Sequence, residues 1–344
     1  MKCKFTNFIP LMVLISYFCG PNLLDAMTET KTEWYIIVNP HAGLGKTIAE
    51  WEVAEKKLFE LEIPYVSVFT DHKYHAAELA AKAASRGYRR ILAVGGDGSV
   101  HEVFCGLMLW CEEHDVAPEE FTLGVIPIGS GNDWIKSLDV PRDTEEVVGL
   151  ISKGYERRQD VVRVLTCGGK VSFMANIGGV GFDSHVCARV NAQKEAGKRS
   201  KRIYISSLFH TILNLKSFHA RIEGDGELYY EGPCFSVAFG NGRYSGSGMR
   251  QTAGAEIDDG LVDVLIVPVI SVFRIIKEIH RIFDGSIQET DCLIYKRCRS
   301  LKMTPLNARS SDIVEMDGEI VGNLPLEINV TGRQINAVSG KPAE

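Results

Sequence analysis

The chain lacks the features that would mark it as a nucleic-acid-binding, fibrous or disordered protein. Among its 344 residues, 44 are acidic and only 38 are Lys or Arg, so no broad positive surface for nucleic acid is expected. With 33 Gly and 12 Pro, the composition is globular rather than collagen-like or disordered. The nine cysteines form no Cys-x-x-Cys pair, which disfavours a zinc knuckle and favours reduced, mostly buried thiols.

The first 26 residues lack an apolar run of about 20 residues, the length that a membrane-spanning helix needs. The run Leu11–Cys19 is shorter and follows Lys2 and Lys4, which is the order of a secretory signal. Two alternatives stay open for residues 1–26. They are an export or anchoring signal, or an extension that precedes a true start at Met27.

Residues 27–155 alternate short apolar runs with stretches of helical spacing. The predicted strands are Trp34–Asn39, Pro64–Phe69, Arg90–Val94 and Phe121–Pro127, and the predicted helices are Thr47–Leu61, His75–Arg86 and Val100–Cys111. This alternation predicts an α/β domain built on a parallel sheet. Ligands of such domains bind at the carboxyl ends of the strands.

From residue 156 the pattern changes to short strands separated by Gly, Asp and Asn turns. The predicted strands are Val161–Leu165, Val171–Ile177, His219–Glu223, Cys234–Phe239, Leu261–Val267, Ser300–Thr304 and Leu326–Val330. This pattern predicts a mainly antiparallel β-sandwich over residues 156–344. For the last strands, pairing with the sheet of the first domain stays open as an alternative.

Two glycine-rich loops follow neighbouring predicted strands. Gly95–Ser99 would let the backbone approach an anionic group, and the helix behind it would direct free N–H groups toward that group. Asp97 fits such a loop only if it holds a divalent cation or handles a proton. The second loop, Pro127–Asp133, offers the hydroxyl of Ser130 to a phosphate and ends in residues that favour a helix cap.

Two further turns carry polar residues. The segment Asn39–Thr47 ends in Gly-Lys-Thr, but Pro40 stands where a Walker A loop requires glycine, so that match fails. Its Asn-Pro turn can still contact a nucleotide phosphate. Asp317-Gly318-Glu319 places two carboxylates at a late turn, which is either a solvated hairpin or a source of a general base or metal contact.

Taken in order, these four motifs resemble the diacylglycerol kinase catalytic family. They are Asn-Pro-x-x-Gly at 39–43, Gly-Gly-Asp-Gly-Ser at 95–99, Pro-x-Gly-Ser-Gly-Asn-Asp at 127–133 and Asp-Gly-Glu at 317–319. Bacterial lipid kinases are the most similar branch, with sphingosine and ceramide kinases as relatives. The resemblance runs from residue 34 to the C-terminus. It implies an α/β nucleotide-binding domain, a β-rich domain, a cleft between them, and transfer of the γ-phosphoryl of ATP to a lipid hydroxyl.

The resemblance also implies roles for single residues. Glu319 would accept the proton, and Asp97 would lie close to the phosphates. The implied nucleotide contacts are Asn39, Pro40, Gly43, Thr70, Gly95, Gly96, Asp97, Gly98, Ser99, His101, Glu102, Ser130, Gly131, Asn132 and Asp133. His101 departs from the asparagine usual there. A Mg²⁺ loop is implied, with a side-chain oxygen from Asp259 and carbonyls from Glu256 and Leu261.

Charge patterns bear on the predictions of a metal loop and of a lipid partner. Asp258, Asp259 and Asp263 are close in sequence and would repel one another without a cation, which favours Mg²⁺. The basic stretches Lys194–Arg202 and Val272–Phe283 are either ordinary surface helices or helices that lie at an anionic membrane. The acceptor is left open among diacylglycerol, a sphingoid base, ceramide and other long-chain alcohols.

The expected cofactors are ATP and Mg²⁺, and the expected partner is a lipid at the inner membrane surface. Because the chemistry needs cytoplasmic ATP, we favour a start at Met27 and a cytoplasmic, peripheral location. No nucleic-acid partner is expected, and a homodimer is compatible with the sequence. A soluble NAD kinase-like enzyme and a non-catalytic nucleotide- or lipid-binding regulator on the same fold are the alternatives.

Overall fold

The computed structural model describes residues 30–129, 131–196, 206–207, 210–211, 214, 216–307 and 312–342. The N-terminal segment 1–26, the hydroxyl-bearing Ser130 and the greater part of the basic stretch Lys194–Arg202 therefore lie outside the described residues. No helix in the described ranges is both long enough and apolar enough to cross a membrane.

The N-terminal part is a parallel sheet covered by helices. Its strands are β1 (Lys31–Val38), β2 (Tyr65–Phe69), β3 (Tyr88–Gly95) and β4 (Thr122–Pro127), in the order β2–β1–β3–β4. Its helices are α1 (Thr47–Glu60), α2 (His75–Ser85), α3 (Asp97–His114), α4 (Trp134–Ser137) and α5 (Thr144–Lys153). Helix α1 packs on α5, and α2 packs on α3. Every residue of β4 is buried, as expected for a strand covered on both faces.

The C-terminal part is built from antiparallel strands and short helices. The strands are β5 (Glu156–Thr166), β6 (Lys170–Met174), β7 (Ile177–Gly181), β8 (Phe218–Gly224), β9 (Glu227–Gly240), β10 (Val262–Pro268), β11 (Ile294–Cys298), β12 (Ser300–Pro305), β13 (Ile313–Met316), β14 (Glu319–Asn323) and β15 (Leu326–Val338). The helices are α6 (Phe182–Glu195), α7 (Val272–Glu278) and α8 (Arg281–Asp284). Most of their apolar residues form a second core, whereas Val161, Phe173 and Val338 pack in the core of the parallel sheet.

Strand β15 joins the two parts. It pairs antiparallel with β5 and β12, and its Asn336 and Ala337 pair parallel with Thr122 and Leu123 of β4. The last strand thus returns to the edge of the first sheet. The predicted fold class, a parallel α/β domain followed by an antiparallel β-sandwich, is confirmed.

Two predicted elements differ from the structure, and helix α6 was not predicted. The strand predicted over Val171–Ile177 is two strands. Strand pairing is interrupted at Ala175 and Asn176, because their backbone N–H groups donate to Asp317. The helix predicted over Val272–Phe283 ends at Glu278, and the separate short helix α8 follows. Helix α6 was not predicted, because its apolar stripe is only Phe182, Val186 and Val190.

The contact between α2 and α3 requires a glycine. A β-carbon placed on Gly106 of α3 would lie 2.2 Å from the carbonyl oxygen of Ala77 on α2. We expect Gly106→Ala to lower the free energy of unfolding by about 1–3 kcal/mol, since the helices must separate. A β-carbon placed on Gly149 of α5 would point into open space. Gly149→Ala should therefore be neutral or stabilise the protein by up to about 1 kcal/mol. Denaturant unfolding measures both, and a Gly106→Ala protein as stable as the wild type would contradict the packing.

Candidate active site

The two glycine-rich loops lie side by side because the strands before them are neighbours. Gly95 and Pro127 are paired residues at the ends of β3 and β4. A β-carbon on Gly129 would lie 2.8 Å from the Cα of Gly96, and one on Gly96 would lie 3.2 Å from the Cα of Gly129. The loops therefore touch backbone to backbone, and glycine is required at both positions for that contact.

The turn after β1 packs against both loops. The amide of Asn39 donates to the hydroxyl of Ser99 at 3.1 Å. Gly43 has a positive φ of 58°, and a β-carbon there would lie 2.6 Å from a side-chain carbon of Ile128. The hydroxyl of Thr47 donates to the carbonyl of Ala42 at 2.9 Å. This hydroxyl is hydrogen-bonded within the turn, which agrees with the conclusion that the segment is not a Walker A loop.

Asp97 occupies the N-terminus of α3, where it binds the second loop. One carboxylate oxygen accepts the backbone N–H groups of Asp133 at 2.7 Å and Trp134 at 3.2 Å. Its other oxygen, Oδ2, lies on the side of Gly131. Burial, followed by the negative charge of Asp133, raises the pKa of Asp97. Among the residues that the structure describes, no side chain caps this end of α3, so the N–H groups of its first turn suit an anion.

The second loop is also held by the C-terminal part. Asp133 pairs with Lys136 and accepts the backbone N–H of Ser247 at 2.7 Å. The amide nitrogen of Asn132 donates to the carbonyls of Pro127 and Gly129, whereas its buried oxygen has no hydrogen-bond partner within the described residues. Sequence reasoning missed Ser247 because nothing in the loop around it suggests contact with the first domain.

Asp317 is a structural carboxylate. Its oxygens accept the backbone N–H groups of Asn176 at 2.8 Å, Ala175 at 2.9 Å and Ile177 at 3.2 Å. Oδ2 also lies 2.8 Å from Nδ1 of His101 on α3, and both side chains are almost fully buried. Burial alone would lower the pKa of His101, but the adjacent Cys105 and the Asp317 carboxylate raise it well above its usual value.

Glu319 is directed toward the first glycine-rich loop. A β-carbon on Gly98 would lie 3.7 Å from its Oε1. Its Oε2 lies 3.0 Å from the ammonium of Lys73, without the geometry of a hydrogen bond. Burial lowers the pKa of Lys73, but the nearby Glu319 outweighs burial and raises it. Lys73 was not predicted, since a lone lysine in a polar loop carries no signal.

Most of the predicted nucleotide contacts lie together, and three need correction or comment. His101 was expected to contact the nucleotide, but its ring is buried against Asp317. Glu102 accepts the backbone N–H of Ala76 at 3.3 Å, so it caps α2. Thr70 is buried at the end of β2. The residues that line the junction of the loops are Asn39, Gly43, Gly95 to Ser99, Gly129 and Gly131 to Asp133.

The predicted Mg²⁺ loop is neutralised by arginines. Arg157 pairs with Asp258 and Glu256, Arg243 with Glu256, and Arg297 with Asp259 and Asp263. The expectation that these carboxylates repel one another is therefore wrong. Asp259 also accepts the backbone N–H of Leu261 at 3.0 Å, so both of its oxygens are engaged. The implied Mg²⁺ ligand set of Glu256, Asp259 and Leu261 stays a prediction.

The contact between His101 and Asp317 predicts a pH-dependent stability. Because the folded pKa of His101 is raised, its stabilisation is complete below the unfolded pKa of about 6.5 and is lost as pH rises through the folded pKa. His101→Gln should therefore cost about 3 kcal/mol at low pH and progressively less at higher pH. Denaturant unfolding across this pH range measures the difference. The control is the same substitution at an exposed histidine, His114→Gln. A cost of His101→Gln that does not change with pH would contradict the pairing.

Comparison with known proteins agrees with this architecture. Residues 33–164 match the diacylglycerol kinase catalytic domain, and residues 177–339 match the YegS C-terminal NAD kinase beta sandwich-like domain. A "Diacylglycerol kinase" of Mycobacterium tuberculosis is 25% identical over 294 residues, which is 85% of this chain and 90% of that protein. A "Probable lipid kinase YegS-like" of Xanthomonas campestris pv. campestris is 27% identical over 243 residues, which is 70% of this chain and 75% of that protein.

Solved structures share the fold. A crystal structure described as a diacylglycerol kinase from Bacillus anthracis str. Sterne has a TM-score of 0.67 and 21% identity, and the match covers 90% of this chain and 97% of that one. The two domain matches are consecutive and account for both parts of the structure. Over both of its parts, the chain is similar to the diacylglycerol kinase catalytic-domain family and to the bacterial lipid kinases related to it.

Proposed function

We propose that the protein is an ATP-dependent lipid kinase that transfers the γ-phosphoryl group of ATP to a lipid hydroxyl. The observation that carries this proposal is the position of Glu319. Its Oε1 faces Gly98 in the first turn of α3, where uncapped N–H groups suit a phosphate. A carboxylate beside a phosphate site is placed to take the proton of an attacking hydroxyl.

The loop geometry suits phosphoryl transfer, which depends on positioning and charge neutralisation more than on covalent chemistry. The turn after β1 and the two glycine-rich loops would hold the phosphates, and α3 would direct backbone N–H groups at them. Lys73 pairs with Glu319 and holds its carboxylate beside the first glycine-rich loop. Mg²⁺ bound with the nucleotide would neutralise phosphate charge, and Oδ2 of Asp97 is the oxygen suited to hold it.

The names of the relatives support a lipid acceptor. Several are named diacylglycerol kinase or lipid kinase, which makes diacylglycerol the first acceptor to test and a sphingoid base the second. The NAD kinase alternative is not favoured by these names. A non-catalytic regulator would have no need for a carboxylate aimed at the phosphate site, and Glu319 is such a carboxylate.

We further propose that the surface around α7 and α8 meets the membrane, where a water-insoluble acceptor is found. Phe273 is 87% exposed and Phe283 is 58% exposed. The arginines expected to form a basic patch are instead paired with acids: Arg274 with Glu278 and Asp291, and Arg281 with Glu278 and Glu289. Apolar insertion, rather than the expected electrostatic attraction, is therefore the stronger contribution of this surface.

The kinase assignment predicts that Glu319→Gln and Asp97→Asn each lower turnover more than tenfold, a loss of over about 1.4 kcal/mol of transition-state stabilisation. Labelled ATP is offered with diacylglycerol, sphingosine, ceramide or NAD, and the products are separated by mobility. Glu327→Gln, an exposed carboxylate paired with Lys302, is the control and should keep full activity. Phosphorylation of NAD but of no lipid, or a Glu319→Gln protein with more than a tenth of the activity, would contradict the proposal.

The membrane surface predicts that Phe273→Ser weakens binding to vesicles of phosphatidylglycerol and diacylglycerol. Burial of one phenylalanine contributes about 1.5–3 kcal/mol, so a loss of at least about tenfold in vesicle affinity is expected, and raising the salt should not remove this difference. Phe59 on α1 is 81% exposed, so Phe59→Ser is the matched control. Equal vesicle binding by the Phe273→Ser protein and the wild type would contradict the proposed surface.

A further inference from the structure

A cluster of metal-binding side chains lies after β2, in the loop that leads into α2. Ligand atoms of Asp71, His72 and His75 all lie within 4.8 Å of one another. Nδ1 of His75 is 2.8 Å from Oδ1 of Asp71, and Nδ1 of His72 contacts the same oxygen. The two imidazole rings stack with their centres 4.5 Å apart. Three groups from five consecutive positions thus converge on one point.

The hydrogen bonding of this cluster favours a cation at that point. Nδ1 of His75 lies 3.2 Å from the backbone nitrogen of Asp71, and a metal bond to the single lone pair of Nδ1 would replace this long contact. The same nitrogen is 2.8 Å from the Oδ1 carboxylate oxygen of Asp71. Two acceptors at this distance need a shared proton or a cation between them. The exposure of Asp71 and His72 lets a metal ion enter from solvent.

We propose that Asp71, His72 and His75 form a binding site for Zn²⁺ or a similar divalent transition-metal ion. Two imidazoles and a carboxylate suit Zn²⁺, whereas Mg²⁺ prefers ligands that are all oxygen. Metal–ligand bonds of about 2.0–2.2 Å require small movements of these side chains, which solvent-exposed rotamers allow. Oε1 of Glu78 lies 3.6 Å from Nε2 of His72 and is placed to orient that ring from outside the ligand set.

The proposed metal site lies next to the candidate active site, but none of its three ligands belongs to that site. Lys73, which contacts Glu319, lies in the sequence between the two histidines. Tyr74, also between them, has a positive φ of 67° and precedes the first residue of α2. A bound ion would fix both ends of this segment, and with it the position of Lys73. Metal binding itself does not depend on the kinase activity proposed above.

The test measures Zn²⁺ binding to the full chain without a histidine tag, by competition with a chromophoric chelator. One equivalent is expected to bind in the presence of excess Mg²⁺. His72→Ala and His75→Ala should each weaken binding at least about tenfold, since even the loss of residues that only orient metal ligands costs that much. The exposed His280, which bonds the carbonyl of Lys277, gives the control His280→Ala, with unchanged affinity.

Thermal unfolding provides a second readout that is independent of catalysis. Zn²⁺ should raise the melting temperature of the wild type and of His280→Ala, because it binds only the folded loop. The same addition should leave His72→Ala and His75→Ala unchanged, while their melting temperatures without metal show that they fold. Absence of one-equivalent binding by the wild type, or equal binding by the doubly substituted His72→Ala, His75→Ala protein, would overturn the proposal.

Discussion

The placement of Glu319 depends on one buried carboxylate, that of Asp317. Taking a carboxylate out of water is costly unless it is paired and hydrogen-bonded. Asp317 meets both conditions by accepting three backbone N–H groups from the break between β6 and β7 and by facing His101 on α3. These contacts fix the β13–β14 turn against the first domain, and Glu319 follows two residues later.

The rest of the site follows from strand order. Since β3 and β4 are neighbours in the parallel sheet, their two loops must meet, and the contact between Gly96 and Gly129 leaves no room for a β-carbon. Asp97 then bonds across to the second loop, while Asp133 bonds to Ser247 of the C-terminal part. Glycine here serves loop packing as well as the approach of a ligand, so the motif reflects both requirements.

Local patterns in the sequence were enough to predict the alternating strands and helices, the two glycine-rich loops and their position at the carboxyl ends of the strands. Partners far apart in sequence were not predictable. Nothing near His101 indicates that its partner is Asp317, and nothing near Asp258 indicates Arg157. A single sequence shows which side chains can ionise, but not which distant charge faces them. The distant partners of His101 and of the acidic loop were missed for this common reason.

The loops and Glu319 are proposed to form one phosphoryl-transfer site. A structure of the protein with Mg²⁺ and a non-hydrolysable ATP analogue tests this proposal directly. We expect the terminal phosphate to lie at the first turn of α3, against the backbone of Gly98, with Glu319 on its open side and Asp317 still buried against His101. A nucleotide bound away from the two glycine-rich loops, or a Glu319 carboxylate turned away from the terminal phosphate, would contradict it.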